Sequence, residues 1–244
     1  MAVLSEDAPA AHAVALRVGG LVPFTVTDYP GALAAVVFCQ GCPWRCGYCH
    51  NPHLLSARGR AEHDWPGLLR WLAQRRGLLD AVVFSGGEPT AQPALPVAMQ
   101  AVRDLGFAVG LHTGGAYPRR FEQVLPLVDW VGFDIKAPAD DYAVVTRVPG
   151  SGHAAQTSLD LLLRAGIACE IRTTVHAALT PPAALLRMAR ELAARGIHRW
   201  VLQPFRAVGC ATDALVTSPL RDAGLNDALL AQLRAHVPGI EMRR

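Results

Sequence analysis

Cys42-Pro43-Trp44-Arg45-Cys46-Gly47-Tyr48-Cys49 is the stretch on which the predictions of fold and chemistry depend. Its three cysteines have CxxxCxxC spacing and follow an apolar run, Leu33 to Phe38, that we interpret as a buried strand. Thiolates this close together can surround one compact inorganic centre, and an ordinary 4Fe–4S cluster takes four cysteine ligands. Three ligands would leave one iron open to a ligand from outside the protein. An open iron site is therefore the central functional prediction.

A structural zinc site is the alternative for this stretch. Zinc takes four ligands, usually as two separated pairs, and no second pair exists because Cys169 and Cys210 each stand alone. His50 or Cys39 could serve as a fourth ligand, so zinc remains an alternative. We expect Cys39 and Cys169 to be buried in strands as small apolar residues. Cys210 receives no role.

The composition is that of a globular protein. The 244 residues are 51% hydrophobic and carry a formal net charge of +3. A chain of this length can bury one core, so we predict a single domain, 1–244, with residues 1–16 as a frayed extension. The small charge does not indicate a nucleic-acid partner, and no apolar run approaches the roughly 18 residues of a membrane span. Clustered cysteines without a signal peptide predict a cytoplasmic, metal-binding or catalytic protein.

Apolar runs alternate with segments of helical periodicity along the rest of the chain. The predicted strands are Leu33–Phe38, Ala81–Phe84, Ala108–Leu111, Trp130–Phe133, Ala168–Val175 and Arg199–Leu202. The predicted helices are Trp65–Arg76, Pro93–Leu105, Arg119–Leu127, Gln156–Ala165, Pro182–Arg195 and Asn226–His236. Repeated βα units imply a parallel sheet in an α/β fold. Because such folds carry their sites at the C-terminal ends of the strands, polar motifs that follow strands should converge on one mouth.

Polar motifs follow several of these strands. In Ser85-Gly86-Gly87-Glu88-Pro89 the glycines allow a ligand to approach the backbone closely, and the carboxylate suits an ammonium group. His112-Thr113-Gly114-Gly115 follows the same logic. Asp134 and Lys136 share one face of a strand, as a simple ion pair or as ligands of ribose hydroxyls and a carboxylate. Arg172 lies inside an apolar strand, which favours a bound anion or an acidic side chain as its partner.

The CxxxCxxC motif together with Gly86-Gly87-Glu88-Pro89 resembles the radical S-adenosylmethionine (SAM) superfamily. Within it, Thr25-Val26-Thr27-Asp28-Tyr29-Pro30-Gly31 resembles the Thr-Val-x-Asp-x-Pro-Gly segment of the activating enzymes of glycyl radical enzymes. Tyr48-Cys49-His50-Asn51-Pro52 and Asp134-Ile135-Lys136 also resemble that group. The similarity runs from about Gly20 to about Cys210. The short form, without an inserted cluster domain, resembles the anaerobic ribonucleoside-triphosphate reductase activating protein.

This resemblance implies a partial (β/α)6 barrel of the TIM type and two cofactors. Cys42, Cys46 and Cys49 would hold a 4Fe–4S cluster, whose open iron would take the amino and carboxylate groups of SAM. The implied SAM contacts are Tyr48 beside the adenine, Gly86, Gly87, Glu88 and Pro89 at the methionine end, and Thr113, Asp134, Lys136 and Arg172 around the ribose and carboxylate.

The resemblance also implies a reaction and its partners. One electron from an external donor, such as flavodoxin or ferredoxin, would cleave SAM to methionine and a 5′-deoxyadenosyl radical. That radical would take a hydrogen atom from a glycine of the catalytic subunit of an anaerobic ribonucleotide reductase. Alternatives are another glycyl radical enzyme, such as pyruvate formate-lyase, or a small molecule, as in the deazaguanine-forming synthases. A zinc-stabilised interaction module is the non-enzymatic alternative.

Three positions depart from the formate-lyase activases. Tyr29 follows Asp28 where those enzymes carry glycine, and no arginine follows soon after. His112 stands where they carry aspartate before the threonine, and Arg206 stands where they carry histidine after Pro204-Phe205. The first departure weakens the assignment to pyruvate formate-lyase. The other two leave the roles of His112 and Arg206 open.

Overall fold

The computed structural model describes residues 15–218 and 225–243, and its centre is one eight-stranded sheet. The strands are β1 (Val18–Thr25), β2 (Ala34–Cys39), β3 (Ala81–Gly86), β4 (Ala108–Thr113), β5 (Trp130–Asp134), β6 (Ala168–Val175), β7 (Arg199–Pro204) and β8 (Gly239–Met242), in this order across the sheet. β1 is antiparallel to β2, and all later pairs are parallel. Within the described residues no pairing joins β1 to β8, so the sheet forms an open, partial barrel. The predicted α/β fold is confirmed.

Two edge strands distinguish this sheet from the six strands that the sequence predicts. The prediction treats Val18–Pro30 as extended and turn-prone, because its glycine pair and its prolines are turn signals. An edge strand tolerates these residues, since one side of its backbone has no partner strand, and β1 forms there. β8 has only four residues, too few for an alternating pattern to stand out. The predicted strands correspond to β2 through β7, the parallel centre of the sheet.

Helices connect the parallel strands. They are α1 (Trp65–Ala73), α2 (Leu95–Asp104), α3 (Pro118–Val124), α4 (Tyr142–Thr146), α5 (Ser151–Ala165), α6 (Pro182–Ala193), α7 (Asp213–Val216) and α8 (Asp227–Arg234). The sequence does not predict α4 and α7, which are single turns of five and four residues. α5 begins at Ser151 rather than at Gln156, because Ser, Gly and His in its first turn carry little helical signal.

The inner face of the barrel is apolar at one end of the sheet and polar at the other. Alanine and valine side chains that alternate along β2 and β3 form a small buried cluster at the apolar end, and Tyr29 packs against this cluster. Tyr29 belongs to the β1–β2 segment, residues 26–33, and its ring also lies 5.4 Å from the ring of Trp130. Because residues two apart share a face of a strand, His112 and Asp134 continue this inner face. The β1–β2 segment therefore borders a polar interior.

Two cysteines outside the CxxxCxxC stretch test the prediction that isolated cysteines are buried. Cys39 is fully buried, as expected. Cys169 is exposed, so that prediction is wrong: the first residues of β6 are exposed, and burial of this strand begins only further along. The apolar character of a strand thus does not imply that its first residues are covered.

The predicted N-terminal extension, residues 1–16, falls mostly outside the described residues, which begin at Ala15. Leu16, at the end of that range, is only 3% exposed and belongs to the main core. Among the residues that the structure describes, no helix combines the length and the apolar character needed to cross a membrane.

Candidate active site

A cavity of about 170 Å³ lies at the C-terminal ends of the parallel strands. Its lining consists of Cys42, Trp44, Cys46, Tyr48, Cys49, His50, Asn51, Leu55, Gly86, Gly87, Glu88, Gly114, Asp134, Lys136 and Thr174. We call it the cysteine cavity. It brings together nine of the twelve predicted site residues, and Pro89, Thr113 and Arg172 are the three that do not line it. Motifs far apart in the sequence thus converge as the parallel topology requires.

Six lining residues are absent from the prediction: Trp44, His50, Asn51, Leu55, Gly114 and Thr174. Most of them had a signal, since Trp44, His50 and Asn51 stand in or beside the cysteine motif and Gly114 stands in the motif after β4. Thr174 had none, because its contribution depends on how far β6 extends towards the cavity.

The loop that carries the cysteines is held by backbone hydrogen bonds on two sides. The amides of Arg45 and Gly47 donate to carbonyl oxygens at the end of α4, at 2.9 and 3.1 Å. On the other side, the amide of Cys42 donates to the carbonyl of Leu55 at 3.1 Å. Buried backbone groups without partners are costly, so these bonds define the loop's path. The short helix α4, which the sequence did not predict, is therefore part of the scaffold of the site.

Burial raises the pKa of all three thiols, and it raises the pKa of Cys42 to about 12. The positive charge of Lys136 opposes this effect at each of them. The thiols are therefore neutral in the absence of a metal, and metal binding must release protons. A buried set of thiols suits a centre that supplies its own positive charge.

The placement of the cysteines fits a cluster better than a single zinc ion. Among the described residues, no group of three Cys, His, Asp or Glu side chains could hold one metal ion together. Zinc needs donors that converge on one point. In a 4Fe–4S cluster the thiolates bind different irons, so donors spread around a cavity are suitable. Three thiols that line one cavity therefore suit a cluster, in which each thiolate would bind its own iron.

Glu88 is the buried acceptor of the cysteine cavity, with only 2% of its surface exposed. Its Oε1 accepts hydrogen bonds from the amide and hydroxyl of Thr90, at 3.1 and 2.6 Å, and from the hydroxyl of Thr113 at 2.7 Å. Its Oε2 accepts from the amide of Gly114 at 3.0 Å. Burial raises the pKa of Glu88, and these hydrogen bonds oppose the rise. Oε2 retains capacity for a further donor from the cavity.

The hydroxyl of Thr113 forms a hydrogen bond with Glu88, and Thr113 does not line the cysteine cavity. Its hydroxyl donates to Glu88 and accepts from the amide of Gly115 at 2.9 Å, and the residue is buried.

The two glycines before Glu88 are required by the packing of the backbone around them. A Cβ on Gly86 would collide with the backbone of Cys39, and a Cβ on Gly87 would collide with the backbone nearby. Close packing between strand ends therefore requires these glycines, whether or not a ligand is near.

Lys136 and Asp134 form the charged wall of the cavity. Nζ of Lys136 lies 3.6 Å from Oδ2 of Asp134 and 5.8 and 5.9 Å from the ring centres of Tyr48 and Trp44. Burial disfavours charge on both groups, but Arg172 and Lys136 lower the pKa of Asp134, and acidic neighbours including Tyr48 raise that of Lys136. Both groups are therefore ionised. Nε of Arg172 donates to Oδ1 of Asp134 at 2.9 Å, which supplies the acidic partner expected for this arginine.

A second cavity, of about 490 Å³, adjoins the first. Its lining consists of Thr27, Asp28, His50, Arg172, Thr174, Gln203, Pro204, Arg206 and Arg243. We call it the barrel cavity, since it lies between the β1–β2 segment and strands β6 to β8. His50 and Thr174 line both cavities. Arg206, whose role the sequence left open, lies here, and its carbonyl oxygen lies 2.8 Å from Nε2 of His50.

His112 joins the β1–β2 segment to the charged residues behind the cysteine cavity. Its Nε2 lies 2.8 Å from the carbonyl oxygen of Asp28 and 3.2 Å from Nη1 of Arg172. Burial and the charge of Arg172 lower the pKa of His112 to about 3. The imidazole is therefore neutral at physiological pH.

The depressed pKa of His112 predicts a pH dependence of stability. The groups that face it are Arg172, Asp134 and Asp28. As the pH falls below the ordinary histidine pKa of about 6.5, the unfolded chain takes up a proton that the folded chain refuses, so the free energy of unfolding falls. Between pH 7.5 and 5.5 we expect His112 to contribute a loss of about 1.4 kcal/mol. Urea unfolding at both pH values should show this difference in the wild type and lack it in His112→Asn; equal losses in the two proteins would contradict the assignment.

Gly132 makes room for the contact between His112 and Arg172. A Cβ at Gly132 would lie 2.6 Å from Nη1 of Arg172 and 2.9 Å from Cδ2 of His112. Gly132→Ala should therefore displace Arg172 and lower the free energy of unfolding by about 1–3 kcal/mol, the usual cost of overpacking. Urea unfolding measures this loss. Gly20→Ala is the matched control, because the nearest atom to its Cβ lies at an ordinary 3.6 Å; a loss as large in the control would refute the steric explanation.

Comparison with known proteins identifies the family of this chain and two similar proteins. A family model described as the Radical SAM superfamily matches residues 36–182. The chain is 31% identical over 167 residues to a candidate glycyl-radical enzyme activating enzyme of Methanocaldococcus jannaschii, covering 64% of this chain and 67% of that one. It is 29% identical over 205 residues to the pyruvate formate-lyase-activating enzyme of Clostridium pasteurianum, covering 79% and 83%.

Among solved structures, the fold is similar to that of SuiB from Streptococcus suis, crystallised with the precursor peptide SuiA. The TM-score is 0.60 at 14% sequence identity, over 86% of this chain. The chain spans about half of that protein, 48% of its length. At this identity the similarity concerns the fold alone.

Proposed function

The chain belongs to the radical SAM superfamily, and from this premise we propose that it activates a glycyl radical enzyme, the catalytic subunit of an anaerobic ribonucleoside-triphosphate reductase. Members of this superfamily are enzymes that use a 4Fe–4S cluster and SAM, so these are the cofactors of this chain. The activating role and the partner are the proposal. A cytoplasmic location belongs to it as well, because free thiols and a reduced cluster need a reducing compartment.

The residues of the cysteine cavity suit the cofactors. Cys42, Cys46 and Cys49 would hold the cluster. When bound, the reduced cluster supplies one electron to the sulfonium of SAM, which yields methionine and a radical that abstracts a hydrogen atom. Glu88 would accept a hydrogen bond from the amino group of SAM through Oε2, which accepts one bond, from Gly114, among the residues that the structure describes. Lys136 would pair with the carboxylate or the ribose oxygens.

The aromatic residues of the cavity exclude water. Trp44 and Tyr48 are buried although both line the cavity. Gly114 permits this packing, because a Cβ there would meet the ring of Trp44. A reactive radical must be kept from solvent and from side reactions. Trp44 and Tyr48 would therefore act by position, without exchanging protons.

The observation that carries the choice of a protein partner is the barrel cavity and its surroundings. Its lining comes from the β1–β2 segment on one side and from β6 to β8 on the other, at the gap between the two edges of the open sheet. Exposed apolar residues flank its lining residues in the sequence: Phe24 and Val26 precede Thr27, and Val208 follows Arg206, with 56%, 58% and 87% of their surfaces exposed. Exposed apolar residues near an opening favour contact with another protein. A small-molecule substrate would need no such surroundings.

Two observations support the choice among glycyl radical enzymes. The relatives from M. jannaschii and C. pasteurianum carry names from the activating group, which supports the class. The departure at Tyr29, where the formate-lyase activases carry glycine, weakens the assignment to pyruvate formate-lyase, and the short form without an inserted cluster domain supports the reductase. The relative named as a pyruvate formate-lyase-activating enzyme keeps pyruvate formate-lyase as the second candidate.

The test is radical formation on purified partners. The cluster-loaded, reduced enzyme would be mixed with SAM and either the reductase subunit or pyruvate formate-lyase. Electron paramagnetic resonance should detect a glycyl radical on the reductase and none on its glycine-to-alanine variant. A radical on pyruvate formate-lyase alone would reverse the choice of partner. Formation of 5′-deoxyadenosine without a radical on either protein would refute the activating role and leave the family assignment intact.

A further inference from the structure

We propose that His112 is a positioning residue with two alternative hydrogen-bonded states, which couple the β1–β2 segment to the cysteine cavity. The inference rests on the proposed function only in that SAM is taken to bind the cysteine cavity. Neither the family pattern nor the proposed reaction assigns His112 a role, because its position carries aspartate in the activases that the sequence resembles.

The contacts of Nε2 are mutually exclusive. The carbonyl oxygen of Asp28 needs a donor, and Nη1 of Arg172 needs an acceptor. Nε2 lies within hydrogen-bond distance of both, at 2.8 and 3.2 Å, and a neutral imidazole nitrogen is either a donor or an acceptor. One tautomer therefore binds Asp28 and releases Arg172, and the other does the reverse.

The second ring nitrogen stabilises the alternative tautomer. Nδ1 of His112 lies 4.0 Å from Oδ1 of Asp28. When Nε2 accepts from Arg172, Nδ1 carries the proton. The partial positive charge of the Nδ1–H group is then attracted to this carboxylate. When Nε2 carries the proton, the carbonyl of Asp28 is satisfied instead. Each state thus has its own partners, which is the requirement for a two-state element that two sites can bias.

Both partners of His112, Asp28 and Arg172, line the barrel cavity, and Arg172 connects this element to the cysteine cavity through Asp134. At one end, Asp28 lines the barrel cavity, and its carboxylate accepts from the hydroxyl of Thr25 at 2.6 Å. At the other end, Arg172 binds Asp134, which pairs with Lys136 in the cysteine cavity. The glycine at position 132 leaves the space in which Arg172 and His112 meet. A glycine in the sheet therefore leaves room for the contact between His112 and Arg172.

The direction of the coupling follows from these contacts. A ligand carboxylate that pairs with Lys136 leaves Asp134 to Arg172, which draws the guanidinium towards Asp134 and away from His112. Nε2 then keeps its proton and binds the carbonyl of Asp28, which tightens the β1–β2 segment. By reciprocity, a partner that holds this segment in place would strengthen SAM binding to the same extent.

Hydrogen–deuterium exchange tests the coupling without measuring activity. Cluster-loaded, unreduced protein would be labelled with and without SAM, and SAM binding would be measured separately by calorimetry. In the wild type we expect SAM to slow amide exchange in residues 26–33 by about fivefold or more, a usual size for coupling between sites. His112→Gln should abolish this effect while keeping the fold, because one amide group can donate to Asp28 and accept from Arg172 at the same time.

A second histidine provides the control. His176 is fully buried, and its ring contacts Leu215 and Ala178 rather than the β1–β2 segment, so His176→Gln should retain the effect of SAM. An unchanged effect in His112→Gln would overturn the proposal, as would an absence of any effect in a wild type that binds SAM. His112→Phe, which loses both bonds, should lose the coupling too. Failure to bind SAM at all would instead refute the proposed function of the cysteine cavity.

Discussion

Cys46→Ala loses the iron–sulfur cluster and lowers SAM cleavage at least about a hundredfold, since an iron without its thiolate ligand leaves the cluster incomplete. Among the described residues that line the cysteine cavity, only Cys42, Cys46 and Cys49 supply thiols. Iron content, the visible absorption of the cluster and the yield of 5′-deoxyadenosine measure the loss.

The control for this variant is another cysteine of the same chain. Cys169 is exposed on β6 and does not line the cysteine cavity. Cys169→Ala should therefore keep its iron content and its SAM cleavage within about twofold of the wild type, as for a surface substitution. Loss of the cluster in both variants would indicate a general sensitivity to thiol removal, and retention in Cys46→Ala would exclude Cys46 as a ligand.

Glu88→Gln weakens SAM binding by about 10- to 100-fold, which corresponds to about 1.4–2.8 kcal/mol. Two effects contribute. The amide has no charge for the amino group of SAM, and its NH₂ group cannot accept the hydrogen bonds of the oxygen that it replaces, which come from Gly114 at Oε2 or from Thr90 and Thr113 at Oε1. A buried donor left without a partner costs about 1–3 kcal/mol. Calorimetry on the cluster-loaded protein measures the affinity, and urea unfolding measures the stability.

Thr113→Val separates these two effects. It removes one hydrogen bond to Glu88 but keeps the carboxylate charge, and Thr113 does not line the cysteine cavity. We expect it to lower the free energy of unfolding by about 1 kcal/mol, the usual worth of one hydrogen bond. Its SAM affinity should fall much less than that of Glu88→Gln. Equal losses of affinity would show that the shape of the pocket, rather than the charge of Glu88, determines binding.

The coupling proposed for His112 gives the barrel cavity a second function. If a partner orders the β1–β2 segment, SAM is held more tightly when the partner is present. Such an enzyme would limit radical formation to complexes that contain a substrate. The pH dependence expected for His112 and the effect of Gly132→Ala probe the same contact through stability, so the three experiments constrain one another.

Local features of the sequence determined the cysteine loop, the six parallel strands and the mouth of the barrel. Cysteine spacing is a local property, and apolar runs of a few residues are visible along the chain. A parallel topology then brings the C-terminal ends of strands to one edge, so Glu88, Asp134 and Lys136 could be placed near the cysteines without coordinates. Turn residues and short length hid β1, β8 and α4, whose stability comes from neighbours rather than from their own periodicity.

Only the tertiary structure decided which atoms serve which partner. Thr113 satisfies Glu88, and Arg172 binds Asp134 while its guanidinium reaches His112. The glycines before Glu88 are required by neighbouring strand ends. Each of these outcomes depends on distances of a few ångströms between segments far apart in sequence. Hydrogen bonding is directional and short in range, so residue types along a chain can nominate the members of a site, but only packing assigns their hydrogen bonds.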